Sequence, residues 1–292
     1  MPHHQFAACA ALLGVLALAP TAAAADEMSA VGRLQYEHSL TEMLAQARAE
    51  RVMAEVEVAF LEERLAADDW ALLVFELEDP LVAELVDAWM EARVTEVELA
   101  GPYGEEHPDR QAARARIGVL EEAVRREIGS VVEVRRLGLD MAAAKEAKFA
   151  EALVESGGGV DEAALLPAFE AMAAQAQALE LEARVEAEHH ERLLAQGHGE
   201  QVARSSSKGG LVVLAKARLL VVIEDTQLAL KYGEKHPDRV ECAAVLAALD
   251  ELLAAQAAQA VAASRLKVEL LQRQIEALQG LQGQAGQEGA TP

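Results

Sequence analysis

The chain has 292 residues with 49 acidic against 26 basic side chains, a formal net charge of −23. Such a charge repels nucleic-acid phosphates and anionic lipid headgroups alike, which excludes electrostatically driven binding to either and leaves proteins as the expected partners. Aromatic residues make up 3% of the chain, too few for an ordinary globular core, so packing must rely on Ala, Leu and Val.

Residues 1–25 read as a signal peptide. Phe6 to Ala19 is almost wholly apolar, Pro20-Thr21 breaks the run, and Ala23-x-Ala25 offers the small side chains a signal peptidase requires. Asp26 is then the expected mature start. The n-region carries His3 and His4 but no Lys or Arg, so an uncleaved anchor from Phe6 to Ala25 is the alternative. Further on, Leu211 to Ile223 is too short to span a bilayer and contains Lys216 and Arg218. The expected location is exported, in the periplasm or cell envelope, with a mature chain that does not span the membrane. Cys9 lies inside the signal, so Cys242 alone survives and no intramolecular disulfide is expected. That lone thiol, just after the second of two repeated turns, suggests itself as a crosslinking handle.

Strong helix formers dominate the rest, and the expected fold is all-α. Leu34, Leu40, Leu44, Val52, Val56, Phe60 and Leu65 return at helical spacings, predicting one amphipathic helix from about Met28 to Ala67. A break is expected at Asp68-Asp69 or at Glu78-Asp79-Pro80, where Asp79 suits an N-cap and Pro80 the first helical position. The next helix runs from Pro80 through Leu99. Ile117, Leu120, Val124, Ile128 and Val131 then follow steps of three and four, the seam of a coiled coil, continuing to about Val154. Ser156 to Gly159 interrupts it, and Asp161 reopens a helix that passes Pro167 and reaches Leu194. The expected organisation is a first coiled-coil hairpin unit at 26–156, a glycine linker at 157–160, a second helical unit at 161–279 with a loop near 196–210, and a disordered tail at 280–292.

One repeat carries most of the information. Tyr103-Gly104-Glu105-Glu106-His107-Pro108-Asp109-Arg110 recurs 129 residues later as Tyr232-Gly233-Glu234-Lys235-His236-Pro237-Asp238-Arg239. At the same offset Leu99 matches Leu228, Ile117 matches Leu246, Leu120 matches Leu249 and Val124 matches Leu253, as expected for a duplicated helix–turn–helix unit. The turns predict long antiparallel hairpins. Gly104 and Gly233 are expected to end a helix in the left-handed conformation, and Pro108 and Pro237 to begin the next. His107 and His236 precede proline and should be extended, while Asp109 and Asp238 meet the positive end of the outgoing helix.

These residues are therefore read as structural turn residues. His107 with Asp109, or His236 with Asp238, would otherwise be an acid–base pair or a metal site, but neither copy supplies a further Cys or His at ligand spacing. Glu188-His189-His190-Glu191 with His198 is a second metal candidate. Adjacent histidines point roughly 100° apart on a helix, so a solvated surface is preferred there. No catalytic residue, cofactor or metal site is expected, and Trp70 and Trp89 are taken for packing residues.

Asp79-Pro80-Leu81-Val82-x-x-Leu85, a helix of about twenty residues, and then Tyr103-Gly104-x-x-His107-Pro108-Asp109 resemble the periplasmic coiled-coil region of the polysaccharide co-polymerases. These are the Wzz- and GumC-like chain-length determinant and exopolysaccharide transport proteins. Arg126-Glu127-Ile128 leading to Ala142-Ala143-Ala144-Lys145-Glu146-Ala147 is similar to that family's return helix, and Glu182 to Leu194 to its later helical segment. No segment reads as the family's membrane-proximal β-domain, second transmembrane helix or kinase domain. The resemblance implies a non-enzymatic, self-associating exported scaffold or adaptor linked to envelope polysaccharide chain length or export. The alternative is a holdase-type chaperone with helical arms. Intact-mass analysis of the exported protein should give a mature chain beginning at Asp26; a mass retaining residues 1–25 would favour the uncleaved anchor.

Overall fold

Ala, Leu, Glu and Arg lose little side-chain freedom in a helix, and the backbone follows that preference throughout. The computed structural model describes residues 30–77, 79–157, 160–199, 201–202 and 210–288. The expected signal peptide, its cleavage site and much of the 196–210 loop lie outside the described residues. Of the described residues 89% are helical and none is in a strand. The principal helices are α1 (Ala30–Ala66), α2 (Trp70–Glu76), α3 (Pro80–Ala100), α4 (Pro108–Glu155), α5 (Glu162–Ala195), α6 (Leu211–Ala229) and α7 (Pro237–Glu288).

Both expected breaks after α1 occur, and the short α2 lies between them. Asp68 takes φ 60°, Asp69 N–H donates to the Arg64 carbonyl at 3.0 Å and Asp68 N–H to that of Leu65 at 3.1 Å. This is the Schellman closure, with aspartate where glycine is usual. Asp79 then caps α3, its carboxylate accepting from Leu81 N–H at 2.9 Å and Val82 N–H at 3.0 Å, with Pro80 first in the helix. Asp161 does the same for α5, accepting from Ala163 N–H at 3.1 Å.

The chain forms two compact units. Each unit collects pieces of several helices distant in sequence. One comprises residues 30–51, 140–172 and 278–288. Leu40, Leu44 and Leu153 are buried in it, with Tyr36 and Phe149 packed against them. Arg48 donates to Glu146 at 2.9 Å and Glu162 at 2.6 Å; burial works against its charge, but the two carboxylates outweigh that and raise its pKa. The tail expected to be disordered from Gly280 continues α7 to Glu288. Leu278 and Ala285, seven residues apart on one face, are buried, and that burial outweighs the helix penalty of Gly280, Gly283 and Gly286.

The other unit comprises residues 52–139 and 173–277 and holds the larger core. Trp70 and Trp89 are both buried and meet edge to face, centroids 5.6 Å apart. Arg125 lies over Trp70 and Arg93 over Trp89, each at 5.1 Å from the ring centre. The repeated helices form two hairpins, α3–α4 and α6–α7. Trp89 Nε1–H donates to Glu121 at 3.2 Å across the first, and Arg218 to Asp250 at 2.5 Å across the second. The hairpins meet through α3 and α6, which run parallel: Gly210 lies against Met90, and Glu98 shares a cleft with Val221 and Glu224.

The approach at Gly210 leaves no room for a side chain. A Cβ there would sit 1.8 Å from Met90 Cγ and 2.5 Å from its Cβ, and Met90 is fully buried. Gly210→Ala should lower unfolding free energy by about 1–3 kcal/mol in a denaturant titration. Gly118→Ala, on α4 with open space around the new methyl, should instead raise it by about 0.5–1 kcal/mol. Equal effects of the two would refute the close α3–α6 contact.

Candidate functional site

The two repeated turns share one set of bonds. Tyr103 N–H donates to Leu99 C=O at 3.1 Å and Tyr232 N–H to Leu228 C=O at 2.8 Å, prolonging the incoming helices by a turn. His107 N–H closes onto Gly104 C=O at 3.1 Å, and His236 N–H onto Gly233 C=O at 3.0 Å. Pro108 and Pro237 then open α4 and α7, as the sequence predicts.

The glycines do not act as expected. Neither Gly104 nor Gly233 has positive φ, and a Cβ at either meets nothing within 4 Å. Left-handed glycines occur at Gly157 and Gly197, after α4 and α5. His198 N–H closes the Schellman bond to Leu193 C=O at 2.8 Å. The repeated turns need no left-handed residue because their helices end while still right-handed, Gly101 having φ −63° and ψ −63°.

The side chains supply the closure instead. Tyr103 stacks on His107 with centroids 3.9 Å apart and planes 20° apart; Tyr232 and His236 repeat this at 4.0 Å and 17°. Asp109 N–H donates to His107 Nδ1 at 3.3 Å, so the imidazole caps α4. His107 Nδ1 lies 3.8 Å from Asp109 Oδ2, and His236 Nδ1 3.7 Å from Asp238 Oδ2. His107 Nδ1, accepting from the Asp109 amide, acts as a cap, whereas His236 Nδ1 is buried with no hydrogen-bond partner, so the second turn lacks this bond.

Sequence reasoning missed the carboxylate that completes each turn. Arg110 donates to Glu96 Oε1 from Nε at 3.2 Å and Nη2 at 2.8 Å, and to the Tyr103 carbonyl from Nη1 at 3.2 Å. Arg239 donates to Asp225 at 3.1 Å. Glu96 and Asp225 are themselves 129 residues apart, so extending the repeat comparison seven residues upstream of the tyrosines would have found them. Arg114 adds a third bond to Glu96 at 3.1 Å, whereas its counterpart in the second repeat is Ala243. Burial works to raise the Glu96 carboxyl, but Arg110 and Arg114 outweigh it and hold it below its usual range.

Next to the second turn lies a cleft of about 370 Å³, lined by Glu98, Glu224, Asp238, Glu241 and Cys242 over Val221, Leu228 and Val245. Burial and Glu224 raise the Glu98 carboxyl. Burial, then Glu224, Asp225, Glu241 and Asp238, raise the Cys242 thiol. Only 8% exposed and held protonated, Cys242 is a poor crosslinking handle, contrary to its expected use.

The helix around His189 also differs from the solvated surface expected. His190 is buried with Ala183 and Ala187 on one stripe of α5, and burial lowers its pKa. Glu191 is engaged by Arg265 at 2.6 Å, and His189 and His198 are exposed. Among the described residues no group of three or more His, Cys, Asp or Glu could hold a metal ion. No family model, curated protein or solved structure matches the chain.

The class these features define is an all-α chain of paired helical hairpins, whose two turns are locked by a tyrosine–histidine stack and an arginine–carboxylate pair. Arg110→Ala should destabilise the fold by about 1–2 kcal/mol, since it removes two of the three bonds to part-buried Glu96 and leaves Arg114 alone to hold it, while Gly104→Ala and Gly233→Ala should stay within about 0.5 kcal/mol of the parent. The Glu96 contribution is complete above the carboxyl's ordinary value of 4.5 and is lost as pH falls through its lowered folded value. Urea titrations from neutral to acidic pH should therefore show a shallower loss of stability in Glu96→Gln than in the parent.

Proposed function

We propose that this chain is an exported, non-enzymatic scaffold or adaptor that holds protein partners along its helices, within an envelope system for polysaccharide chain-length control or export. The observation that carries the scaffold reading is the number of large apolar side chains left exposed on long charged helices. Val119, Val134 and Leu137 on α4 and Leu219, Leu220 and Ile223 on α6 are each between 46% and 67% exposed. Clustered exposure of this kind marks interaction surfaces. The turns support the same reading, because their tyrosine, histidine and arginine side chains are engaged with one another and with the helix ends.

The polysaccharide setting rests on the resemblance of the Asp79-Pro80 helix start and the tyrosine–glycine–histidine–proline turn to the co-polymerase coiled coil. Export rests on residues 1–25. Among the described residues no helix is long and apolar enough to cross a membrane. A holdase-type chaperone is the second reading, favoured by the same exposed side chains. Glu105, Glu106 and Glu234 at the turns weigh against it, since such arms usually grip clients with basic tips.

The two readings separate in the host cell. With a photo-crosslinking residue at position 137 of α4, the scaffold reading expects capture of a polysaccharide-export component, and loss of the protein should change surface-polysaccharide length or amount. Unchanged polysaccharide, together with suppressed aggregation of an unfolded outer-membrane protein by the purified chain, would transfer the assignment to the chaperone.

A further inference from the structure

The two repeats differ in charge where the second turn meets the end of α3. The cleft of about 370 Å³ there receives carboxylates from three helices: Glu98 of α3, Glu224 of α6, and Asp238 and Glu241 of α7. Moving back 129 residues turns Glu224, Glu241 and Cys242 into Thr95, Ala112 and Ala113, and Val245 into Arg116. Apart from Asp238, these groups are not part of the turn that the repeats share. Neighbouring carboxylates are neutralised, Glu96 by Arg110 and Asp225 by Arg239. Among the described residues Glu98, Glu224 and Glu241 have no such cation, and none of the residues lining the cleft is Lys or Arg.

Helix ends add to the negative potential. Because α3 and α6 run parallel, their last turns both border the cleft, at Glu98 and Leu228, and neither last turn holds a basic residue. Glu241 lies across Gly101 just beyond α3, where an added Cβ would come 3.3 Å from Glu241 Cγ. The C-terminus of a helix attracts cations and repels carboxylates. Burial and Glu224 raise the Glu98 carboxyl, as expected where like charges face each other. Cys242 is a separate sign of a ligand. Its side chain lines the cleft at only 8% exposure, and among the described residues its thiol has neither a disulfide nor a hydrogen-bond partner. Its sulfur can accept from an N–H donor placed in the cleft.

We propose that this cleft binds an aliphatic diamine or polyamine, with its ammonium groups on Glu98, Glu224 and Glu241 and its methylenes on the apolar floor of Val221, Leu228 and Val245. Among the described residues no three His, Cys, Asp or Glu groups are placed to hold one metal ion, so the positive charge that suits the cleft is spread along a chain rather than concentrated at a point. Lysine side chains combine the same two features, an aliphatic stem laid on apolar surface and a charged head among polar groups. The volume falls within the range of small-ligand sites, about 300–1,000 Å³.

Calorimetric titration of spermidine into the protein purified from expression of the full 292-residue chain tests this, in about 0.15 M salt, where attraction between distant charges is screened. One saturable site is expected. Glu98→Gln and Glu241→Gln should each weaken it about tenfold, by loss of a charge-assisted bond. Glu170→Gln, the same loss of charge at an exposed position on α5, should leave it unchanged. The slow alkylation of Cys242 by iodoacetamide, followed by mass spectrometry of the peptide that carries it, should slow further as spermidine fills the cleft. Absence of a saturable site, or a site that Glu170→Gln weakens as much as the cleft variants do, would overturn the proposal and reduce it to attraction toward net charge. Magnesium that saturates the site and protects Cys242 where spermidine does not would overturn it in favour of a metal. Should a glutamine variant lose its helical circular dichroism, Cys242 in the parent decides: protection by spermidine supports the cleft, and unchanged alkylation refutes it.

Discussion

Each hairpin depends on an arginine in the first turn of its outgoing helix that reaches back to a carboxylate in the last turns of the incoming one. Arg110 with Glu96 and Arg239 with Asp225 span fourteen residues across the reversal. Helix contacts built from Ala, Leu and Val slide easily, because one aliphatic contact resembles the next. A charge-assisted bond at the closed end removes that freedom, since a shift of one helical turn would break it. With the register set, Trp89 comes opposite Glu121 and Arg218 opposite Asp250.

The small aromatic content makes close helix approach necessary. Where α3 and α6 meet, the chain has glycine at 210, so Met90 can fill the space a side chain would have taken. The two tryptophans meet from different places on their helices: Trp70 begins α2, and Trp89 joins it from the middle of α3. Arg93 and Arg125 cover those rings, which seals the aromatic pair under cationic groups. The parallel pairing of α3 and α6 leaves the second repeat with an outward apolar face for which the first has an internal partner.

Histidine serves two structural purposes. His107 lends its ring nitrogen to the backbone of α4 while its face stacks on Tyr103. His190 is a core residue whose burial favours the neutral ring. The acidic cleft beside the second turn holds a thiol whose pKa is raised by burial and then by the surrounding carboxylates.

The local sequence determined the helix starts and the duplication. Asp79-Pro80, Asp161, His107-Pro108 and His236-Pro237 are read from cap chemistry that acts within four residues, and periodicity of three and four marks the helices between them. Tertiary structure decided whatever depends on what a helix lies against. The helix through Gly280, Gly283 and Gly286 persists because Leu278 and Ala285 are buried, which no propensity reveals. Gly157, Gly197 and Asp68, rather than Gly104 and Gly233, took the left-handed conformation; the first repeated turn follows a helix that ends while still right-handed at Gly101. Glu96 and Asp225 were visible in the repeat but distant from the motif, and only the folding back of each helix gave them their partners. The burial of Cys242 and His190, and the exposure of one face of α6 against its hidden counterpart on α3, likewise follow from packing between segments far apart in the chain.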